Sequence, residues 1–244
     1  MTGCGDRRRT LHCAGVGDAR LRQGVLGEAL GPGVRPAPGR GLPINPYLPA
    51  ETAHLPVGTA LDAGCGTGAE ARWLAQRGWH VTGADISATA LAAATARTED
   101  ADLAGQVEWV EADLSRWEPV RTWDLVLTSY AHPRTGQLAF YERIASWVAP
   151  GGSVLIVGHL HTLHTAHDHP EEATASLADA CGLFAGPDWR VDASYEHTRA
   201  VDAGCRTELH DVIVRAHRRP LTPVFVFQPT KETGLIDQRG QGGR

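Results

Sequence analysis

The run Asp62-Ala-Gly-Cys-Gly-Thr-Gly68 sets three alternate glycines two residues behind an acid. Glycines at 64, 66 and 68 carry no Cβ, so a bulky nucleotide-like ligand can lie directly on the backbone and the turn can take positive φ. Twenty-one residues past Gly64 stands Asp85, which closes the run Val81-Thr-Gly-Ala-Asp85. A carboxylate at the end of a second strand can accept hydrogen bonds from both hydroxyls of a ribose. The glycine run alone leaves the ligand open. Gly64-x-Gly66-x-x-Ala69 also fits a dinucleotide fingerprint, in which Asp85 favours NAD over NADP, and a tight strand-to-helix turn with no ligand fits it too.

A second group of reactive side chains lies downstream, in Thr128-Ser-Tyr-Ala-His-Pro133 and His159-Leu-His161. A neutral imidazole near pH 7 is the side chain best matched to removing a proton from an acceptor, so His132 is the first candidate base and His159 the second. Tyr130 is placed to shape the same pocket. Five histidines between Gly158 and His169 form the densest cluster in the chain. Without Cys or Glu partners at ligand spacing they read as a solvated loop, and no metal is assigned.

Such residues need a frame that brings strand ends together. From Thr59 onward, short apolar runs alternate with amphipathic stretches, the pattern of βαβ units. The pattern predicts strands over 58–63, 80–84, 107–110, 123–128 and 153–158. Helices are predicted over 69–78, 88–97, 136–148 and 171–182. Near-continuous apolar strands such as Leu125-Val-Leu127 and Val154-Leu-Ile-Val157 suit a parallel sheet covered on both faces. Runs over 189–197 and 207–217, separated by Asp202-Ala-Gly204, predict an antiparallel hairpin at the sheet edge. The expected fold is α/β, a doubly wound, mostly parallel seven-stranded sheet with a C-terminal antiparallel hairpin. In such sheets ligands sit beyond the carboxyl ends of the strands.

In order and spacing, Asp62-Ala-Gly-Cys-Gly-Thr-Gly68, Asp85, Glu111-Ala-Asp113-Leu, Trp123-Asp-Leu-Val-Leu127 and Ala149-Pro-Gly-Gly152 resemble the successive motifs of class I S-adenosylmethionine-dependent methyltransferases. The resemblance covers roughly residues 55 to 217. Its downstream end, Thr207-Glu-Leu-His210 and the strand that follows, is similar to the small bacterial branch that includes tellurite-resistance methyltransferases. The resemblance implies S-adenosyl-L-methionine as cofactor. It sets Asp62, Gly64 and Gly66 against the methionine part, Asp85 against the ribose, and Asp113 with Leu114 against the adenine. Gly68, Ile86 and Ser129 complete the implied cofactor set, and Asp124 is implied to be structural. A dehydrogenase needs no acid after its third strand, so Asp113 separates this reading from an NAD-dependent oxidoreductase. A third reading is a non-catalytic nucleoside- or metal-binding module using the His-rich loop 159–169.

The rest of the chain bounds these readings. With 244 residues and 42% apolar composition it can bury a substantial core. Residues 1–43, rich in Gly, Pro and Arg, predict a poorly ordered segment. The methyltransferase domain is expected over 44–219, opening with a short lid helix near 44–55, and a tail over 220–244. A net charge of −5 gives no electrostatic attraction to a phosphate backbone, so a small-molecule acceptor is expected rather than nucleic acid. No apolar run long enough to span a bilayer is present, and no membrane partner is expected. Five cysteines at 4, 13, 65, 181 and 205 lack paired spacing and read as reduced thiols of a cytoplasmic protein.

Overall fold

The computed structural model describes residues 43–99, 101–133, 135–159, 175–202 and 206–221. The predicted N-terminal segment and C-terminal tail, nearly all of the His-rich loop, and the first residues of the helix expected over 171–182 lie outside the described residues.

Seven strands form one sheet: β1 Thr59–Ala63, β2 His80–Asp85, β3 Val107–Glu111, β4 Trp123–Ser129, β5 Val148–His159, β6 Trp189–Asp202 and β7 Arg206–Arg218. Their spatial order is β3-β2-β1-β4-β5-β7-β6. The first five strands run parallel, and β7 lies antiparallel between β5 and β6. The strand order reverses between β1 and β4, which opens a crevice at the carboxyl ends of both.

Side-chain alternation along the strands builds two cores, one per face. On one face Ala60, Leu125, Leu127, Leu155, Val157 and Ile213 pack under α1 (Leu48–Thr52) and α2 (Ala69–Ala75), through Leu48, Ala71 and Leu74. On the other, Leu61, Val126, Val154, Ile156 and Val214 pack under α4 (Gln137–Ser146) and α5 (Leu177–Gly182), through Phe140, Ile144 and Ala180. Each fully buried Leu or Ile contributes about 1.5–3 kcal/mol of transfer free energy, so both faces anchor the strand ends. The remaining helix, α3 (Ala88–Glu99), follows β2 and packs against β3. Among the described residues no helix is long and apolar enough to cross a membrane.

The predicted elements match the observed ones with shifts at their ends: the helix expected over 69–78 stops at Ala75, and within the described residues the one expected over 171–182 begins at Leu177. The helix expected to reach residue 148 stops at Ser146, because Trp147 N–H bonds back to Ile144 O at 3.1 Å and Trp147 O accepts from Trp123 N–H. That exchange pulls the chain into the sheet, so β5 starts at Val148, before the expected 153, and carries a register break opposite Trp123 and Leu125. The last two strands are also longer than their apolar cores, extending the hairpin to Asp202 and back from Arg206.

Candidate active site

The chain leaves β1 through a turn held from beneath by β2. The Gly64 and Cys65 N–H groups both donate to Ala84 O, at 2.8 and 3.1 Å, and Gly66 N–H donates to Asp85 Oδ2 at 2.8 Å. Gly64, Gly66 and Gly68 have φ of 82°, 50° and 75°, a left-handed region that disfavours any residue with a Cβ. Their reasons differ. A Cβ on Gly64 would sit 2.6 Å from the Ala131 Cβ, whereas one on Gly68 would strike the Trp109 ring. Gly68 is therefore required by packing of the turn on β3. Gly64 marks where the loop after β4 closes on the turn.

Three acids surround this turn, all buried: Asp62, Glu70 and Asp85. Asp62 Oδ2 accepts from Ala71 N–H at 3.1 Å, and Asp85 Oδ1 from Ser87 N–H at 2.9 Å. Glu70 Oε1 accepts from Asn45 N–H at 2.8 Å. Among the described residues no Lys or Arg pairs with any of the three. Burial, then the negative charge of Glu70, pushes the Asp62 carboxyl well above the usual carboxylate range, and burial raises Glu70 too. Burial and then the charges of Asp62 and Asp85 push the Cys65 thiol up, so it stays protonated.

The other predicted cofactor residues lie along the same edge. Ile86 follows Asp85 and is 38% exposed, an apolar surface beside a buried acid. Asp113 is half-buried after β3, where its Oδ1 accepts from the Ser115 N–H and hydroxyl, and Leu114 beside it is buried. Ser129 ends β4 and its Oγ accepts from Asn45 Nδ2 at 3.0 Å. Asn45 thus ties the chain before α1 to both α2 and β4. Asp124 stands at the opposite end of the sheet, where it accepts from Thr59 N–H and the Thr59 hydroxyl.

Beyond β4 and β5 the predicted histidines come together. The rings of His132 and His159 stack with centroids 5.5 Å apart and planes 13° apart, and Tyr130 lies 4.8 Å from His159. Tyr130 has φ of 56°, uncommon for a bulky residue and a mark of a constrained site. The partner of this cluster is Asp211 on β7, which is fully buried. Its Oδ2 accepts from Tyr47 OH at 2.8 Å, Tyr130 OH at 3.0 Å and Arg199 Nε at 2.6 Å. The Tyr47 hydroxyl, which donates its hydrogen bond to Asp211, also lies 3.0 Å from His197 Nδ1. Burial, followed by Asp211, holds the Tyr47 and Tyr130 hydroxyls protonated.

Asp211, Arg199, Tyr47, Asn45 and Glu70 are absent from the residues named by motif. An acid directly preceding the apolar run Val212-Ile-Val214 was the available signal for Asp211. Its partners depend on strand register, which no local pattern shows.

Residues 60–152 match a family model described as a methyltransferase domain. The chain is 30% identical over 182 residues to an uncharacterized methyltransferase of Mycobacterium tuberculosis, covering 70% of this chain and 82% of that one. The chain belongs to the class I S-adenosylmethionine-dependent methyltransferases. A probable thiol methyltransferase 2 of Arabidopsis thaliana is 32% identical to it over 120 residues, 48% of this chain. The match spans about half, 53%, of that relative's length. A Vibrio cholerae tRNA1(Val) (adenine(37)-N6)-methyltransferase is 31% identical over 75% of each chain. In fold, the methyltransferase superposes on TehB from Haemophilus influenzae with a TM-score of 0.62 at 17% identity, covering 72% of this chain and 62% of that one. The fold class, the enzyme class and S-adenosyl-L-methionine as cofactor all agree with the sequence reading.

Proposed function

We propose that this methyltransferase, a cytoplasmic enzyme with its catalytic domain over 44–219, moves a methyl group to a small-molecule acceptor bound where β4, β5 and β7 meet. The observation that carries the cofactor site is the set of buried acids Asp62, Glu70 and Asp85 around a turn in which Gly64, Gly66 and Gly68 carry no Cβ, without a Lys or Arg partner among the described residues. Buried carboxylates lacking a counter-charge are costly, and a ligand carrying an ammonium and a sulfonium relieves that cost. The residues fit such a ligand. When bound, the cofactor supplies an electrophilic methyl on a positively charged sulfur.

In this reading Asp62, Gly64 and Gly66 hold the methionine part. A carboxylate has about four acceptor positions, and the two backbone N–H groups on Asp85 leave room for two ribose hydroxyls. Ile86 offers an apolar face to the adenine, with Asp113 and Leu114 on its other side. Gly68 and Ser129 set the turn and the end of β4 that border the ligand. His132 and His159 are the candidate groups for taking a proton from the acceptor. Orientation and exclusion of water supply the remaining acceleration.

A small acceptor is favoured by the similarity to a relative named as a thiol methyltransferase and by the net charge of −5. The similarity to a tRNA methyltransferase makes tRNA the contrasting acceptor. Calorimetry with S-adenosylhomocysteine and with NADH tests the cofactor. A screen of thiol, metalloid, amine and hydroxyl compounds alongside tRNA, read by S-adenosylhomocysteine formation, tests the acceptor. Saturable binding of S-adenosylhomocysteine alone and turnover with a small compound are expected. Binding of NADH instead, or turnover with tRNA only, overturns the proposal.

A further inference from the structure

In the register between β5 and β7, His159 lies directly opposite Asp211, and across the next strand Asp211 lies opposite His197. A buried carboxylate thus stands in a row between two imidazoles. Its two oxygens are used unequally. Oδ2 accepts from three donors, while Oδ1 is buried and, among the described residues, accepts from no donor. His159 Nδ1 stands in ion-pair range of Oδ1, at 3.9 Å. That is longer than a hydrogen bond, as expected where catalytic contacts tighten only once substrate is in place.

We infer that Asp211 is a positioning residue that holds the Nδ1 side of His159, making His159 rather than His132 the group that takes the acceptor's proton. The inference rests on the methyl-transfer reading above. Nδ1 and Nε2 lie on opposite sides of an imidazole, so anchoring Nδ1 against Asp211 turns Nε2 away from β7 and fixes which nitrogen is the base. Oδ2 cannot swing to meet the ring, because Tyr47, Tyr130 and Arg199 hold it, so Oδ1 is the oxygen presented to His159. His132 stacks on the His159 ring, but the register sets Asp211 opposite His159.

The step balances. The acceptor's proton passes to Nε2 of His159, the bond from acceptor to methyl forms, and the sulfur–methyl bond breaks with its electron pair remaining on sulfur. The resulting imidazolium faces the Asp211 carboxylate until its proton leaves to water. Among the described residues, the titratable or charged groups around His159 are Tyr130 and His132 after β4 and Asp211 on β7. Behind Asp211 stand Arg199 and His197 on β6 and Tyr47 before α1. Of these described groups, Asp211 is the one that favours a charged imidazole. Arg199 opposes it and is itself neutralised by Asp211.

The test is a nitrogen-15 NMR pH titration of the histidine rings in the full chain, with signals assigned through His159→Gln and His132→Gln. His159 is expected to titrate at a higher pH than His132. Asp211→Asn is expected to lower the His159 midpoint by about one unit, leaving the His132 midpoint and S-adenosylhomocysteine affinity unchanged. Tyr47→Phe removes a donor from Asp211 but keeps its charge, so it leaves the His159 midpoint at or above the wild-type value whether or not Asp211→Asn folds. A His159 midpoint that ignores Asp211→Asn, falls in Tyr47→Phe, or lies below that of His132 overturns the inference. Failure of the wild-type chain to bind S-adenosylhomocysteine would instead overturn the methyl-transfer reading, and calorimetry reads that separately.

Discussion

Asp62 and Glu70 beside the glycine turn, and Glu51 and Asp211 under the C-terminal hairpin, are buried to a similar degree. Their company differs. Glu51 accepts from Arg215 Nε at 3.1 Å and from Tyr195 OH at 2.8 Å, and Arg215 also reaches Asp192 at 3.2 Å. Burial and then Glu51 push the Tyr195 hydroxyl up to about 12, so it stays a donor. Asp211 has Arg199 and two tyrosines. The acids at the glycine turn have backbone N–H groups and, among the described residues, no cation. Under the hairpin the chain supplies its own counter-charge. The acids proposed for the cofactor would instead give up stability, with the counter-charge coming from the bound ligand.

Removing the cation from the paired side has the largest expected effect on stability. Arg215→Met strands Glu51 without its counter-charge and should cost about 3–5 kcal/mol, measured by urea unfolding, while S-adenosylhomocysteine affinity of the folded variant stays unchanged. A loss below about 1 kcal/mol, the scale of an exposed pair, would show that the two regions do not differ in this way. On the other side, Gly66→Val forces a β-branched residue into φ of 50° and removes the ligand's path to the backbone. Calorimetry should show no saturation, with circular dichroism confirming the fold. Asp85→Ala should weaken cofactor binding by about 1–3 kcal/mol, because ribose hydroxyls lose their acceptor and Gly66 loses its tether. Unchanged affinity there would remove Asp85 from the ribose.

The smallest expected effect is on pH dependence. Asp62 and Glu70 have folded-state values raised above their unfolded values, about 3.9 and 4.3. The folded chain therefore holds more protons in that window, and stability from these groups is fully present below it and is lost as pH rises through the folded values. Melting temperature without ligand, compared between wild type and Asp62→Asn, should diverge in favour of the variant as pH climbs above about 4. Parallel curves would mean that Asp62 carries no unmet charge.

The frame was readable because β4 and the second half of β5 are near-continuous apolar runs and the turn after β1 carries its glycines. The acids proposed for the cofactor, Asp62 and Asp85, were singled out because they stand at the carboxyl ends of β1 and β2 in a fixed spacing. Glu70 was not, because an acid in a helix's first turn ordinarily faces solvent, and only the contact with Asn45 shows it buried. Asp211 was hidden by its strand. A hairpin edge predicts polar residues facing water, and the pairing of His159 with Asp211 depends on a register set by the whole β5–β7 ladder. The extra length of β5 was equally hidden, because Pro150 and two glycines interrupt its apolar pattern.

The most direct test of the contrast is calorimetric titration of S-adenosyl-L-methionine into wild type and Asp62→Asn, with the melting temperature of each measured without ligand. Asn keeps the acceptor for Ala71 N–H and removes only the charge. The variant is expected to bind at least about tenfold more weakly, a loss of roughly 1.4 kcal/mol, while melting at or above the wild-type temperature. Equal affinity, or weaker binding accompanied by a lower melting temperature, would contradict the assignment of these acids to the cofactor.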